Sequence, residues 1–498
     1  MSEIKPLGDY IDGRFVKRRQ AHGTLISRDP CHSKQLVGEF PRYDEALPEA
    51  LSAARAAFGQ WSKASLDERI APIRKLRAQL QNRGEDLAQL TARETGRPLW
   101  DAREDVVTMR QQLDVIVRHG LAEIELQGPP PQRTEVSFHP RGVVAVIAPC
   151  SQPALLLHLD TIAALTVGCT VVCKPSPLTP ALGQLYAELI HEADFPRGVF
   201  NLVQGDDECG QHLASDANVD VVLFSGSHQS ARALRDAVIA DSERWPLLRL
   251  HSSALPGALV LDDADLDQAT SAIVIGACAS NGLRCTNTHI VVAQQRIAAR
   301  LQDQLLATLS RINTGESMRA DTFLGPLPSE DHLKRFEAGL TRLRSQSDEL
   351  LLGGRHEQRG DQGHYITPAL FRVDAGTLRA LSRDEILGPV LLFATVDDAD
   401  EGAKLLAHAH RQLCHSVFTH DPDVLAQMHL AAPGSVLLIN QPTTRWLGDL
   451  PLEPHQPLGG SLAHGSLTAR SLVEPSVLVE NDSAFDATTL PPGIPRPV

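Results

Sequence analysis

Gly142-Val143-Val144-Ala145-Val146-Ile147-Ala148-Pro149 is an almost unbroken apolar run bounded by a glycine and a proline. A strand with one wet face alternates apolar and polar residues. This one does not, so it reads as a strand covered on both faces, the habit of parallel sheets. The pattern then repeats. A helix from about Leu155 to Val167 leads to Thr170-Val171-Val172-Cys173-Lys174-Pro175-Ser176, and a helix near Leu182 to Ala193 leads to Val199-Phe200-Asn201-Leu202-Val203. Another around Gly210 leads to Val219-Asp220-Val221-Val222-Leu223-Phe224-Ser225-Gly226-Ser227. Repeated strand–helix–strand units predict an open α/β sheet. Ligands on such sheets gather at the carboxyl ends of the strands, where Lys174 and the Ser225-Gly226-Ser227 turn fall.

Upstream, Tyr10-Ile11-Asp12-Gly13-Arg14-Phe15 alternates around an Asp-Gly turn and predicts a hairpin. Helical spacing runs from Tyr43 to Phe58, from about Leu66 and from about Asp101 to Leu121. Ser65 and Glu68 stand at the offset of a capping box for the second of these. Arg133 to Pro140 reads as an extended ribbon. From about His251 a second α/β region begins, with strands at Tyr365-Ile366-Thr367, Val390-Leu391-Leu392-Phe393 and Gly434 to Asn440. One more strand is expected near Ser476-Val477-Leu478-Val479, within a tail rich in Pro, Asp and Thr.

A chain of 498 residues exceeds one comfortable core and predicts two or three domains. Its 42% hydrophobic and 22% charged residues are ordinary for a soluble globular protein. A net charge of −14 argues against nucleic acid and anionic membrane as partners, since both reward clustered Lys and Arg. No apolar run is long enough to span a bilayer, and Met1-Ser2-Glu3-Ile4-Lys5-Pro6 carries no signal core. Eight scattered cysteines make neither a disulfide framework nor a paired metal pattern. The twenty histidines show no helical ligand pair, so no metal site is expected. These features point to a reduced, cytoplasmic protein.

Ser280-Asn281-Gly282-Leu283-Arg284-Cys285-Thr286-Asn287 is the stretch that bears on chemistry. It lies between an apolar, helix-capable run, Ala272 to Cys278, and a probable strand, His289-Ile290-Val291-Val292. A cysteine at such a hinge can attack a carbonyl as thiolate and form a readily cleaved thioester. It can equally be a small buried hydrophobe, as most free cysteines are.

These pieces, in this order, resemble the aldehyde dehydrogenase superfamily. The likeness runs essentially end to end, through the Gly142–Pro149 run, Cys173-Lys174-Pro175-Ser176 and Gly198 to Gly205. It continues through Phe224-Ser225-Gly226-Ser227, Gly282-Leu283-Arg284-Cys285-Thr286 and Asp384-Glu385-Ile386-Leu387-Gly388-Pro389. Within the superfamily, Ala53 to Phe58, Ala92 to Pro98 and Val479-Glu480-Asn481-Asp482-Ser483 are most similar to the succinylglutamate-semialdehyde dehydrogenases of arginine catabolism. The resemblance implies a dinucleotide-binding domain (residues 1–125 and 143–250), a catalytic domain carrying Cys285 (251–455), and a flap with the tail (126–142 and 465–498). It implies a homodimer or homotetramer built through that flap. It also implies that NAD or NADP oxidises a small-molecule aldehyde to the acid through a thioester. Cys285 matches the nucleophile, Lys174 the lysine on the adenine ribose and Glu385 the glutamate on the nicotinamide ribose. Ser176, Gly205, Ser225, Gly226, Ser227 and Leu387 fall along the implied cofactor path.

The departures from the family pattern fall on the chemistry. Ser151 stands where an asparagine donates to the oxyanion; losing one such donor typically costs about 3–4 kcal/mol of transition-state stabilisation. His251 replaces the general-base glutamate. A histidine is a competent base near neutral pH, or else a polar residue filling the vacated space. Ser253 and Ala254 replace two glycines, Pro177 a ribose-binding glutamate, Ala231 the second glycine of the phosphate turn, and Leu387 a phenylalanine. Three functions therefore stand side by side. One is an NAD(P)-linked semialdehyde dehydrogenase with Cys285 as nucleophile and His251 as base. Another is a catalytically impaired paralogue that keeps the fold as a scaffold or regulator. The third is a redox- or ester-reactive thiol protein that uses Cys285 without hydride transfer.

Overall fold

The computed structural model describes residues 3–124, 134–240, 245–252, 254–357, 363–381, 386–407, 413–431, 436–445 and 467–480, with Pro491 and Ile494. The Gly142–Pro149 run forms the strand Val143–Ile147, buried at every residue, in the interior of a seven-stranded sheet. Across that sheet the order is Leu247–Ser252, Val221–Gly226, Val143–Ile147, Thr170–Lys174, Phe200–Leu202, and then the hairpin Asp9–Ile11 with Arg14–Val16. The five α/β strands pair in parallel and the hairpin joins antiparallel. Side chains alternate across a strand. Val144 and Val146 accordingly enter a core shared with the helices Leu66–Thr95, Leu99–Val115, Pro153–Val167 and Pro180–Glu192. Val143, Ala145 and Ile147 enter the opposite core, against Ala46–Trp61 and His228–Ala240. Two covered faces explain why the run has no polar alternation.

The second seven-stranded sheet runs Glu349–Gly353, Ala369–Arg372, Val390–Val396, Ile290–Gln294, Gly257–Val260, Cys414–Phe418, Val436–Ile439. It is parallel except at its first pair. Both sheets match the expected α/β architecture.

Several boundaries differ from the spacing. The helices expected at Leu155 and Leu182 begin at Pro153 and Pro180, because proline at the first helical turn needs no N–H partner. The helix expected to reach Leu121 stops at Val115 and passes into a π-helical turn, Ile116–Gly120. The capping box at Ser65 forms as expected: Ser65 Oγ accepts from Glu68 N at 3.3 Å, and Ser65 N donates to the Glu68 carboxylate at 2.7 Å. Thr134–Pro140 pairs antiparallel with Val473–Val479 of the same chain, Thr134 opposite Val479. Arg133 and the turn before it lie outside the described residues. Among the described residues, no helix is long and apolar enough to cross a membrane.

Candidate active site

Cys285 sits on a turn that the sequence builds with unusual backbone. After the helix Leu266–Cys278, Ser280, Asn281 and Gly282 all take positive φ, at 52°, 58° and 71°. Asparagine tolerates this region because its side chain can bond locally, and here both ends of the Asn281 amide are used. Its Nδ2 donates to Gly96 O (3.2 Å) and Pro326 O (2.9 Å), while Oδ1 accepts from Gly325 N (2.8 Å). Gly282 has no room for a side chain, since a Cβ would stand 2.2 Å from the Gly388 carbonyl carbon. Asn287 closes the turn, its Oδ1 accepting from Arg284 N at 2.5 Å and its Nδ2 donating to Gly276 O at 2.7 Å.

A buried ion network ties this turn to the helix Leu99–Val115 and the Arg97 before it. Arg97, fully buried, donates to Asp101 at 2.8 Å and to Asp105 at 2.6 Å. Arg284, next to the thiol, ion-pairs with Asp101, and its Nε donates to Ser280 Oγ at 2.6 Å. Burial alone would raise the Asp101 carboxyl, but the Arg284 and Arg97 charges outweigh it and pull it down to about 2. Gln152 Nε2 donates to Asp105 at 3.1 Å, so the loop carrying Ser151 hangs from the same network. Sequence reading placed a helix here without seeing its task; its only signal was two aspartates four apart on one face.

Cys285, His251 and Ser151 line one small chamber of ≈ 120 Å³, together with Ser225, Ser227 and Leu387. His251 is the fifth residue of the edge strand Leu247–Ser252, beside Ser225 in parallel register. Its Nδ1 lies 3.3 Å from Ser225 Oγ. Burial pushes the Cys285 thiol up to about 11, with the Arg284 charge pulling the other way. Among the described residues, no hydrogen bond joins its sulfur to an imidazole.

Towards one side the chamber continues, through Pro149, Ser225, Ser227 and Arg335, into a cleft of ≈ 590 Å³ at the carboxyl ends of the first sheet. Lys174 and Ser176 line this cleft. Lys174 Nζ, buried, donates to Pro175 O and Gly205 O, each at 3.0 Å. An ammonium carries three protons, so one is left for a ligand. Burial lowers this lysine's pKa. Gly205 and Gly226 are required by space, since a Cβ would meet Cys209 Sγ and the Phe224 ring, each at 2.4 Å. The helix His228–Ala240 presents its amino end here through Gln229 and Ser230, a ready seat for phosphate oxygens. Ala231, which replaces a family glycine, is fully buried in the core behind and takes no space from the cleft. Pro177 does line it. The residues present fit a dinucleotide. Glu385 and Ser253 lie outside the described residues, while Ala254 lines the chamber.

Towards the other side the chamber shares Gln152, Leu156, Arg284 and Cys285 with a second cavity of ≈ 540 Å³. Trp100, Leu155, Leu438 and Thr443 line it, with Arg445. Cys285 is therefore at the meeting of two passages, one walled by phosphate-type donors and the other mainly by apolar groups.

The aldehyde dehydrogenase family profile matches residues 15–460, and this chain belongs to that family. Its chemistry is accordingly that of an oxidoreductase acting on aldehydes with NAD(P) as acceptor. It is 27% identical over 495 residues to N-succinylglutamate 5-semialdehyde dehydrogenase of Escherichia coli (strain K12), covering 98% of this chain and 97% of that protein. It is 28% identical over 420 residues to alpha-ketoglutaric semialdehyde dehydrogenase of Bacillus subtilis (strain 168), covering 83% and 85%. Among solved structures, an aldehyde dehydrogenase C mutant from Pseudomonas syringae, in complex with NAD+ and octanal, superposes with a TM-score of 0.87 at 26% identity, covering 95% of this chain and 96% of that one. 1-Pyrroline-5-carboxylate dehydrogenase from Thermus with bound NAD gives a TM-score of 0.88 at 22% identity, covering 96% and 93%, and establishes the fold.

Proposed function

We propose that this chain oxidises an acid-terminated aldehyde, a semialdehyde, to the acid through a thioester on Cys285. The observation that carries the reading is the position of Cys285 where the dinucleotide-sized cleft, the chamber and the apolar cavity meet. When bound in the cleft, NAD(P) supplies the hydride acceptor. The rest falls to the chain. Cys285 Sγ forms the C–S bond to the aldehyde carbon as the carbonyl π bond opens onto oxygen, and the thiol proton passes to solvent. The Ser151 hydroxyl and the Cys285 backbone N–H serve as donors to the carbonyl oxygen as charge develops on it. His251 takes the proton from the water that attacks the thioester, with Ser225 orienting the ring through Nδ1. Lys174 would donate its third N–H to a ribose hydroxyl of the cofactor, and Glu385 would hold the second ribose as the family resemblance implies.

The cavity offers the acid end of the substrate an exposed cation, on a lining that also carries Asp101, Glu104 and Asp105. Arg284 is already matched by Asp101. Arg445, exposed on the lining of the same cavity, has no ion pair among the described residues and is the cation left for a carboxylate. The semialdehyde relatives point the same way. An exposed charge pair is worth ~0.2–1 kcal/mol, so Arg445→Ala should lower kcat/KM for a five-carbon semialdehyde by up to about fivefold. It should leave pentanal unchanged. Equal loss on both substrates would remove the semialdehyde reading.

A second reading, a paralogue that keeps the fold without turnover, draws on a thiol raised to about 11 with no imidazole bonded to it. Calorimetric titration separates the two: failure to bind either NAD+ or NADP+ leaves only the second.

A further inference from the structure

The chamber holds another thiol, and that one does have an imidazole. Cys150 Sγ lies 3.5 Å from His332 Nε2, and Nδ1 of the same ring lies 2.8 Å from Ser329 Oγ. Ser329 caps the helix Glu330–Gln346, its Oγ accepting from His332 N. A hydroxyl oxygen has two lone pairs, so the second can accept Nδ1–H, and in that tautomer Nε2 is an acceptor facing the thiol. Burial lowers His332 to about 4, with Arg335 acting in the same sense, and raises Cys150 to about 11. At neutral pH the pair is therefore a thiol and a neutral imidazole. In that form the ring can take the proton as sulfur attacks. Cys150 is half-buried and, with His332, lines the chamber that Cys285 also lines. Arg335, three residues on along the same helix, lines both the chamber and the cofactor cleft. Pro149, the neighbour of Cys150, also lines both, so a group attached to Cys150 would stand close to the entrance of that cleft.

We propose that Cys150, with His332 as its base, is a second nucleophilic site of this chamber, one that takes α,β-unsaturated aldehydes by conjugate addition. The proposal rests on the reading of the chamber as the place where aldehydes enter. A soft sulfur adds to the soft β-carbon: the S–C bond forms as the carbon–carbon π bond opens towards the carbonyl. The proton taken from the thiol by His332 returns to the α-carbon. No oxidant, reductant or further reactant is needed, and the adduct keeps its aldehyde. The modified side chain then obstructs the cofactor passage.

The test is a time course of the full chain with but-2-enal, without cofactor, quenched by borohydride and read by peptide mass mapping of Cys150, Cys209 and Cys285. Cys150 should gain the adduct first, and prior NAD+ should slow its gain. His332→Gln should slow addition at Cys150 at least tenfold while leaving iodoacetamide labelling of Cys285 unchanged. If that variant does not fold, Ser329→Ala, which releases the ring tautomer, should slow addition several-fold. Adduct appearing first on Cys285, or an unchanged Cys150 rate in the folded variant, overturns the proposal. Turnover of a saturated aldehyde is measured in parallel. Its absence with Cys150 addition intact would count against the dehydrogenase reading alone.

Discussion

Cys285 and His251 share a chamber but not a hydrogen bond, and this separates two roles that a single imidazole could otherwise combine. If His251 acts on water and not on the thiol, His251→Ala should lower kcat about 100-fold or more, the scale of a lost general base. The rate of Cys285 alkylation should stay the same. His251→Glu, which restores the family's acid, should recover turnover. A parallel fall in alkylation and turnover would instead make the ring the activator of the thiol. At this scale the sequence was informative about identity and blind to contact. Cys285, Ser151 and His251 were legible as a set because each falls at a family position, and all three line one chamber. The Cys150–His332 pair joins positions 182 apart and has no local pattern to reveal it. Ala231 was read as the lost second glycine of the phosphate turn; it faces the core, because which side of a helix meets the cleft is set by packing.

The element that positions the thiol is the helix Leu99–Val115, through Asp101 and Asp105. Removing one partner of a buried ion network leaves the others uncompensated, at a cost of about 3–5 kcal/mol. Asp101→Asn should therefore destabilise the protein by roughly that amount, since Arg97 stays fully buried and Arg284 largely so. It should also lower kcat in protein that is still folded, because the Cys285 turn loses its anchor through Arg284 and Ser280. Unchanged unfolding in urea would show the network to be dispensable. The existence of this helix was legible from spacing, as were the strands of the first sheet from their unbroken apolar runs. Its anchoring role was not, because Asp101 and Arg284, 183 positions apart, are brought together only by tertiary packing. The early helix starts at Pro153 and Pro180 were also missed: proline reads as a breaker unless its place at the first turn is recognised.

At the scale of the molecule, the ribbon of Thr134–Pro140 and Val473–Val479 is a two-stranded sheet with an open edge on each strand. It carries Val477, Leu478 and Val479 at 57%, 54% and 70% exposure. Edges and apolar side chains of this kind are covered in stable proteins, so we expect the chain to assemble as a dimer or tetramer through the ribbon. Light scattering should show the assembly and its loss in Val477→Lys with Val479→Lys. A wild-type monomer at micromolar concentration would refute it.

The pH response is a second property of the whole. Burial holds His158, His289, His332 and His415 near 4, below their ordinary 6.5. Their contribution to stability is full above 6.5 and is lost as pH falls towards 4. Burial also holds Asp9, Glu94 and Asp160 near 7, above the ordinary carboxylate range. Their contribution is full below about 4 and is lost as pH rises towards 7. Between these limits the two sets oppose each other, with His364 lowered in the same sense as the four histidines, so their contributions largely cancel. Urea unfolding between pH 5 and 6.5 should therefore change little with pH. Asp160→Asn, with one opposing carboxylate gone, should make stability rise with pH there, by up to about 1.4 kcal/mol per pH unit. A steep acid loss in the wild type would contradict the cancellation.

The central claim is that the cofactor cleft and the aldehyde cavity meet at the Cys285 thiol. A single-turnover mixture of the protein with NAD+ or NADP+ and a semialdehyde tests it directly, read at once by absorbance of the reduced nicotinamide and by intact mass. The account predicts reduced cofactor in step with an acyl group on the Cys285 peptide, and neither in Cys285→Ser. Cofactor that binds but is never reduced, with Cys285 unmodified across semialdehydes and simple aldehydes, would contradict it.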